Sequence, residues 1–229
     1  MIELSQEGKI ELFQNSAFLK GVTLSTLSDL ASITREVRYP KGAIILRNGE
    51  FNSEIFIVSC GLLRVSACSE SGKRITFLLV KKGEPFNIVS PFIDRPRFLE
   101  AEAARDSKCL QISGPCYLKF LESHPDITPH VISWIAPAID SALSRVFDLM
   151  EKKVERRIMR VLRTLSVKFG SPLFFTNAEL AEVTGTTTES TIRAVKILRD
   201  LGAIETQRGK IWVKDLNVFK DDSEEHIRI

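Results

Sequence analysis

The sequence lacks the features that mark membrane, secreted and most catalytic proteins. No apolar run approaches the ~18–20 residues that a membrane span needs, so we expect no membrane partner. The N-terminus has no basic stretch followed by an apolar run, which is unlike a signal peptide. We find no G-x-S-x-G, no phosphate-binding loop and no metal-ligand spacing. The sequence therefore predicts neither an enzyme nor a metal site.

Cysteine is scarce and is not arranged for disulfides or metal. Cys60, Cys68, Cys109 and Cys116 form no C-x-x-C pair. Without a secretory context, a reducing cytoplasm is the natural compartment. Cys60 and Cys68 lie eight residues apart, and we interpret them as small buried hydrophobic residues rather than as a redox switch.

Positive charge is concentrated in one segment, although the net charge of the chain is only +3. Residues 1–150 carry 17 basic and 17 acidic side chains, whereas residues 151–213 carry 12 basic and 7 acidic ones. Residues 214–229 carry 3 basic and 5 acidic ones. A basic C-terminal segment is typical of a phosphate-binding module, although a solvated helix face would look the same.

Hydrophobic periodicity divides the chain into three parts. Residues 5–36 have helical spacing. From Tyr39, short β-rich runs alternate with glycines, which is typical of a sandwich or barrel, and from Cys116 onward the pattern is helical again. We therefore expect an α+β fold with a β-rich first domain at residues 1–130. The predicted strands are 43–46, 55–58, 62–67, 75–80, 100–104 and 109–112, with a hairpin turn at Ser71-Gly72.

Residues 131–154 predict a long helix with an apolar seam. Polar residues flank the seam closely, among them Arg145 and Asp148. We therefore favour a partner helix from a second copy, that is a homodimer, over packing on the chain's own β-domain. The seam follows a three-four spacing, broken near its start by Pro137: Ile132, Ile135, Ile139, Ala142, Val146 and Leu149.

Residues 155–229 have the pattern of two short helices joined by a sharp turn. After an amphipathic helix at 156–169, Thr176 or Asn177 can cap a helix at 178–184. Gly185 fits the turn, because positive φ is easily adopted only by glycine. The rest of the pattern is a helix from near Thr187 to Leu201-Gly202 and a two-stranded wing that turns at Arg208-Gly209.

These motifs occur in an order that resembles a known family. The most specific element is Gly185-x-x-x-Glu189-x-x-x-Arg193 followed by a glycine-turned wing, with Pro40-Lys41-Gly42, Gly49 and Gly61 upstream. On these residues the chain resembles the family of the cyclic-AMP receptor protein and the fumarate-nitrate reduction regulator. The resemblance implies a cyclic-nucleotide-binding-type β-roll, a long dimerisation helix and a C-terminal winged helix-turn-helix. It also implies a cytoplasmic transcription regulator that binds double-stranded DNA and contacts RNA polymerase.

The second helix of the motif would enter the major groove with its N-terminal half. Glu189 and Arg193 share a helical face, and Arg matches guanine while Glu accepts from cytosine. The resemblance implies that this pair reads G·C positions in a near-palindromic site; the alternative is an exposed ion pair. Thr188 stands where many members carry a basic residue, so we expect a different half-site. Further expected DNA contacts are Thr176, Thr187, Thr188, Ser190, Lys196 and Arg208, with Lys210 also plausible.

The residues that hold a cyclic nucleotide in this family are missing. Asn87-Ile88 stands where the family has Gly-Glu, Arg97-Phe98 where it has Arg-Ser, and Ala142-Leu143 where it has Thr-Ser. Since Ile and Leu cannot hydrogen-bond ribose or adenine through their side chains, we do not expect cyclic AMP as the effector. Arg97 is interpreted as a solvated loop residue.

Other effectors remain open. Residues 1–59 contain no cysteine, which argues against an iron–sulfur cluster of the fumarate-nitrate type. Haem stays an alternative with His124, His130 and His226 as the only imidazoles, although a structural role is favoured for His124. The candidate effector pocket is apolar and is either a hydrophobic ligand site or packed core: Phe86, Ile88, Val89, Arg97, Phe98 and Leu143.

Three functional hypotheses follow. In the first, an effector changes packing along helix 131–154 and reorients the recognition helices, with a hinge at Arg156-Arg157. In the second, the protein binds DNA constitutively and its sensor domain is degenerate. In the third, the chain is a cyclic-nucleotide-type module that acts on a protein partner, which would leave the helix of Glu189 and Arg193 without a purpose.

Overall fold

The computed structural model describes residues 3–151 and 153–218; His226 and the chain after residue 218 lie outside the described residues. One compact unit comprises Met1–Ala67 and Leu78–Ile135, and the other comprises Cys68–Phe77 and Ala136–Ile229. The helices are α1 (Gln6–Gln14), α2 (Leu24–Ser32), α3 (Gly114–Ser123), α4 (Thr128–Glu151), α5 (Val154–Phe169), α6 (Asn177–Thr184) and α7 (Thr188–Asp200). The strands are β1 (Arg35–Tyr39), β2 (Ile44–Leu46), β3 (Ile55–Cys60), β4 (Leu62–Cys68), β5 (Arg74–Lys81), β6 (Pro85–Phe86), β7 (Glu100–Ala103), β8 (Ser107–Ile112), β9 (Ile204–Gln207) and β10 (Lys210–Val213).

Two four-stranded sheets form the roll. Their strand orders are β1-β8-β3-β6 and β2-β7-β4-β5, so each sheet brings together strands that are far apart in sequence. All six predicted strands are present. The sequence predicts helical spacing as far as residue 36, but β1 begins at Arg35 and pairs antiparallel with β8. Strand β6 was not predicted, because two residues are too few to give a periodic signal.

Alternation along the central strands β3 and β8 produces two cores. Ile55, Ile57 and Leu110 point to one face and pack with the helices α1, α2 and α3. Phe56 and Cys109 point to the other face and pack with the second sheet. Since successive side chains of a strand point to opposite faces, strands buried on both faces read as continuous apolar runs. The roll is therefore a sandwich of two sheets with a helical layer on one side.

In the C-terminal unit, α5 is the helix against which the two helices of the helix-turn-helix pack. Its buried face packs against α6, α7 and β10. Strands β9 and β10 pair antiparallel as a wing, and Leu173 adds an isolated bridge to Ile211. The expected α+β order of roll, long helix and winged helix-turn-helix is confirmed. The buried residues of α5 are Ile158, Met159, Val161, Leu162 and Leu165.

The long helix α4 begins at Thr128, three residues before the predicted start, and contains Pro137. Extended backbone at Lys153 (φ −60°, ψ 152°) separates it from α5. The break in the helical path lies there, whereas the expected hinge, Arg156-Arg157, lies inside α5 and is helical. No described helix combines the length and apolarity needed to cross a membrane.

Candidate DNA-binding surface

Helix α6 begins with a capping box. The Thr176 hydroxyl accepts from the Glu179 amide (3.2 Å), and the Glu179 carboxylate accepts from the Thr176 amide (2.8 Å) and hydroxyl (2.9 Å). This reciprocal pairing fixes where the helix starts. Of the two caps considered from the sequence, Thr176 is the N-cap and Asn177 is the first helical residue. The Thr176 hydroxyl is thus already engaged, and Glu179 places a negative charge beside it.

Helix α7 has its own cap and a clean division into two faces. The Thr187 hydroxyl accepts from the Ser190 amide at 3.2 Å and lies 3.1 Å from the Ser190 hydroxyl. Thr191, Ala194 and Leu198 are buried against the rest of the unit. The opposite face is exposed and carries Glu189, Ile192, Arg193 and Lys196.

The Glu189 carboxylate folds back toward the start of α7. Hydrogen bonds from its own amide and from the Thr187 hydroxyl lower its pKa from the ordinary value, with Arg193 contributing attraction. In the described structure Glu189 and Arg193 share the exposed face without forming an ion pair. Free Arg193 therefore has an unoccupied guanidinium fork, the group that matches guanine.

The wing carries the other two basic residues that the sequence predicts as DNA contacts, Arg208 and Lys210. Arg208 and Gly209 form its tip, and Gly209 has the positive φ (71°) that the turn requires. Arg208 and Lys210 are both exposed. The Lys210 ammonium lies 5.9 Å from the centre of the Phe174 ring, which is itself 55% exposed. Of the eight expected DNA contacts, seven lie at the start or on the exposed side of α6 and α7, and Arg208 lies on the wing.

The turn between α6 and α7 is enclosed by other elements of the unit. Gly185 caps α6 with φ 71°, and the Thr186 amide donates to Ala181 O at 3.0 Å. A Cβ at Gly185 would lie 3.0 Å from Leu149 and 3.2 Å from Ile75. The tip of the β4–β5 hairpin, residues 68–77, thus contacts this turn. Sequence patterns gave no sign of this contact.

Two polar side chains of α4, Arg145 and Asp148, point inward rather than flanking an open seam. Arg145 donates to backbone carbonyls of the hairpin tip and of α6. Asp148 is buried and pairs with Arg160 of α5, with both side chains at most 11% exposed. The sequence pattern marks these two residues only as polar neighbours of the apolar seam. The Asp148–Arg160 pair spans the break between α4 and α5.

An exposed apolar stripe nevertheless follows α4 and includes Ile132, Ile139 and Val146 of the expected seam. Ile135 packs against the helical core of the roll, and Leu149 lies against the Gly185 turn. Leu143 and Met150 are exposed, and so are Phe147 (63%) and, from the expected seam, Ala142 and Leu149 (41%). We call the following residues the α4 stripe: Ile132 (61% exposed), Ile139 (56%), Leu143 (56%), Val146 (54%) and Met150 (75%).

The candidate effector residues do not share one apolar surface. Phe86 is buried in the core between the sheets, whereas Ile88 is buried in the core under the helices and Val89 packs at its edge. Phe98 is 65% exposed. Phe86 and Ile88 therefore belong to the packed core, which is one of the two alternatives for the candidate effector pocket. Leu143 belongs to the α4 stripe.

A polar network joins Arg97, Ser90 and Asn87. Arg97 is partly buried and donates to the Ser90 hydroxyl (3.2 Å), which donates in turn to the Asn87 side chain. The Asn87 amide group donates to Glu54 O at 2.8 Å. The interpretation of Arg97 as a solvated loop residue is therefore wrong; burial lowers its pKa, with nearby Arg95 adding repulsion. Asn87 has φ 66°, the only positive φ among the described non-glycine residues.

The cysteines and histidines are dispersed. Cys60 and Cys68 are exposed, so the interpretation of both as buried hydrophobic residues is wrong. Both lie at strand ends, where alternation no longer dictates burial. Cys109 is buried, which raises the pKa of its thiol to about 12. His124 caps the end of α3, packs on Phe120 and lies 3.4 Å from the Asp29 carboxylate. The described residues contain no group of three or more metal-ligating side chains.

Comparison with known proteins matches both halves of the chain. Residues 36–124 match the cyclic nucleotide-binding domain, and residues 156–221 match the Crp-like helix-turn-helix domain. The chain belongs to the CRP/FNR family of transcription regulators. The cyclic AMP receptor protein of Thermus thermophilus is 23% identical over 184 residues, which cover 80% of this chain and 85% of that protein.

Two further proteins are similar to most of the chain. The anaerobic regulatory protein of Bacillus subtilis is 24% identical over 192 residues, which cover 80% of this chain and 81% of that protein. The c-di-GMP responsive global regulator of Xanthomonas campestris has the same fold, with a TM-score of 0.76 at 17% identity over 84% of this chain and all of that one. This CRP/FNR-type chain is thus a transcription regulator with a helix-turn-helix DNA-binding domain, and its relatives are regulators rather than enzymes.

Proposed function

We propose that this regulator is a homodimer that reads a near-palindromic DNA site with Glu189 and Arg193 of α7. The observation that carries the proposal is the exposed face of α7, on which an unpaired guanidinium and a carboxylate lie four residues apart. Arg193 would donate to guanine O6 and N7, and Glu189 would leave the helix start to accept from cytosine N4. Thr187, Thr188, Ser190, Lys196 and Arg208 surround this pair as candidate phosphate or base contacts.

Thr176 is a weaker candidate than the sequence suggested. Its hydroxyl donates to Glu179 and accepts from the Glu179 amide. A phosphate at this position would have to displace that carboxylate or lie beside its charge. We therefore place the main phosphate contacts on α7 and the wing.

The proposal is tested by selecting DNA from a random pool with the wild-type protein and comparing base preferences. Arg193→Met is expected to lose about 1–3 kcal/mol of discrimination at one position of each half-site. The matched control is Arg199→Met, which removes the same charge from the exposed C-terminal end of the same helix. An unchanged base preference in the Arg193 variant would refute base reading by this residue.

The α4 stripe supports a homodimer. Its residues alternate in steps of four and three from Ile139 to Met150, which is the spacing of a two-helix seam. A second copy of α4 is the occupant whose apolar spacing matches. Val146→Glu or Leu143→Glu should give a monomer in sedimentation equilibrium. Ser133→Glu, which adds the same charge at an exposed position off the stripe, should remain a dimer.

The effector is proposed to be something other than cyclic AMP. Ile88 is buried in the core, and Arg97 is engaged by Ser90, so neither is arranged to bind ribose and phosphate. Cyclic AMP should therefore leave DNA affinity unchanged. The ultraviolet-visible and bound-ligand mass spectra of the purified protein test for haem or a small molecule; a Soret band would establish haem.

The same observations favour a second candidate function, constitutive DNA binding with a degenerate sensor. Phe86 and Ile88 fill two separate cores, and the Asn87–Ser90–Arg97 network is internally hydrogen-bonded. A constitutive protein would bind its site equally with and without cell extract. A change of affinity caused by a small molecule from the extract would favour the effector-controlled regulator. RNA polymerase is proposed as a partner on the family relationship alone.

A further inference from the structure

Arg145 joins three segments of the C-terminal unit through their backbones. Its Nη1 donates to Thr76 O at 2.9 Å and lies 3.4 Å from Phe77 O, both at the end of the hairpin tip. Its Nη2 donates to Val183 O, in the last turn of α6. The guanidinium carbon also lies 5.8 Å from the centre of the Phe77 ring. One side chain thus links α4, the hairpin tip and the first helix of the helix-turn-helix.

Each of these contacts has a physical reason. The last carbonyls of a helix have no partner within the helix, and a cation near them is favoured by the helix dipole. A planar guanidinium can donate in two directions at once, which a lysine ammonium on a single stem does less well. Burial lowers the pKa of Arg145 to about 10 and Asp148 opposes this, so the side chain remains charged at neutral pH.

The Arg145 contacts lie next to the turn that sets the direction of α7. Gly185 follows Val183 by two residues and is enclosed by Ile75 of the hairpin tip and Leu149 of α4. A second link joins the same elements, because the Thr76 hydroxyl lies 3.5 Å from the Glu182 carboxylate. The end of α6 is therefore held from both sides, immediately before the recognition helix begins.

We propose that Arg145 is a positioning residue for the recognition helix: by tying Val183 of α6 to the hairpin tip, it fixes the angle at which α7 meets the major groove. The inference rests on the proposed function of α7, and it adds that the tip of the β4–β5 hairpin takes part in specific DNA recognition without touching DNA.

The test compares Arg145→Met with Arg145→Lys and with Arg95→Met, an exposed arginine of the roll whose loss removes the same charge. Arg145→Met should weaken binding to the selected site about tenfold, the equivalent of one charged hydrogen bond, while non-specific DNA binding is retained. Arg145→Lys keeps the charge and the fold but should remain weakened, because it cannot span both acceptors. Arg95→Met should bind like the wild type.

Two further readouts separate positioning from direct contact and from simple instability. A lost phosphate contact would reduce the salt slope of binding by about one, whereas a positioning residue should leave it unchanged. The Thr186 amide, which donates to Ala181 O, should exchange faster with deuterium in Arg145→Met but not in Arg95→Met. Retained non-specific binding shows that the DNA-binding domain is still folded.

The outcomes distinguish the inference from the function on which it rests. If Arg193→Met changes base preference and both Arg145 variants bind the selected site like the wild type, the inference is wrong and the proposed function stands. A reduced salt slope in Arg145→Met would likewise overturn it, in favour of direct contact. If Arg193→Met leaves base preference unchanged, the proposed function itself fails.

Discussion

Gly185 and Gly202 offer a matched pair of substitutions that measures how tightly the helix-turn-helix turn is enclosed. Both have nearly the same backbone angle, φ 71° and 72°, but their surroundings differ. A Cβ at Gly202 would meet nothing within 4 Å, whereas one at Gly185 would lie 3.0 Å from Leu149 Cδ2 and 3.2 Å from Ile75 Cδ1. At either position, an alanine in the left-handed backbone conformation costs about 1–2 kcal/mol of stability.

The difference between the two variants isolates packing. The smaller entropy of the unfolded chain on replacing glycine by alanine is common to both and cancels. Gly185→Ala must also displace two methyl groups, and overpacking of this kind costs about 1–3 kcal/mol. We therefore expect Gly202→Ala to lower the free energy of unfolding by about 1–2 kcal/mol and Gly185→Ala by about 2–5 kcal/mol.

The assay is urea unfolding of the C-terminal unit followed by the fluorescence of Trp212 in the wing. The other tryptophan, Trp134, packs edge-on against Phe18 in the roll and is replaced by phenylalanine in all variants, so that the signal reports one unit. Leu149→Ala should reduce the cost of Gly185→Ala by removing one of the two contacts. Equal losses for the two glycine variants, or strict additivity with Leu149→Ala, would contradict the enclosed turn.

Three other perturbations follow from buried groups. Asp148→Asn leaves Arg160 with an uncompensated buried charge, so the free energy of unfolding should fall by about 3–5 kcal/mol in the same fluorescence assay. A fall of less than about 1 kcal/mol is the size expected of an exposed pair and would contradict burial. Burial raises the pKa of Glu36, but Lys108 and the Leu4 amide outweigh this and hold it below the ordinary 4.5. Its contribution is complete above the unfolded pKa and is lost as pH falls through the folded one. Lys108→Met should therefore flatten the rise of stability with pH around and below 4.5, and a pH profile parallel to that of the wild type would refute this. A thiol reagent should label the native protein at its exposed cysteines, Cys60, Cys68 and Cys116, and not at the buried Cys109. Mass spectrometry of the labelled peptides checks this, and labelling of Cys109 would contradict it.

Local signals predicted the DNA-binding half of the fold well. Thr176 and Gly185 act through neighbours a few residues away, so a cap and a positive-φ turn can be read from spacing alone. Six of the eight strands of the roll were also predicted, since alternation and glycine punctuation are local properties. Strand β1 was missed, because it begins within the segment of predicted helical spacing. Strand β6 is too short to carry such a signal.

The inward contacts of α4 could not be predicted in the same way. From Ile139, spacings through Ala142 and Leu149 or through Leu143 and Met150 both satisfy a three-four pattern, so spacing alone does not choose between them. Arg145 looks solvated in a helical sequence, because its partners are carbonyls that carry no sequence signature. Arg97 was misread for a similar reason: its hydrogen bond to Ser90 depends on how the intervening loop folds.

The C-terminal unit is assembled from two separate stretches of sequence, because residues 68–77 belong to it together with the chain from Ala136 onward. An exchange of DNA-binding domains between family members at the long helix would leave this hairpin behind. The grafted helix-turn-helix would then meet a foreign hairpin, with mismatched side chains against its turn and mismatched acceptors for the arginine of α4. Recombination within the family should therefore succeed only when both stretches come from the same parent, and the two stretches should evolve as one unit.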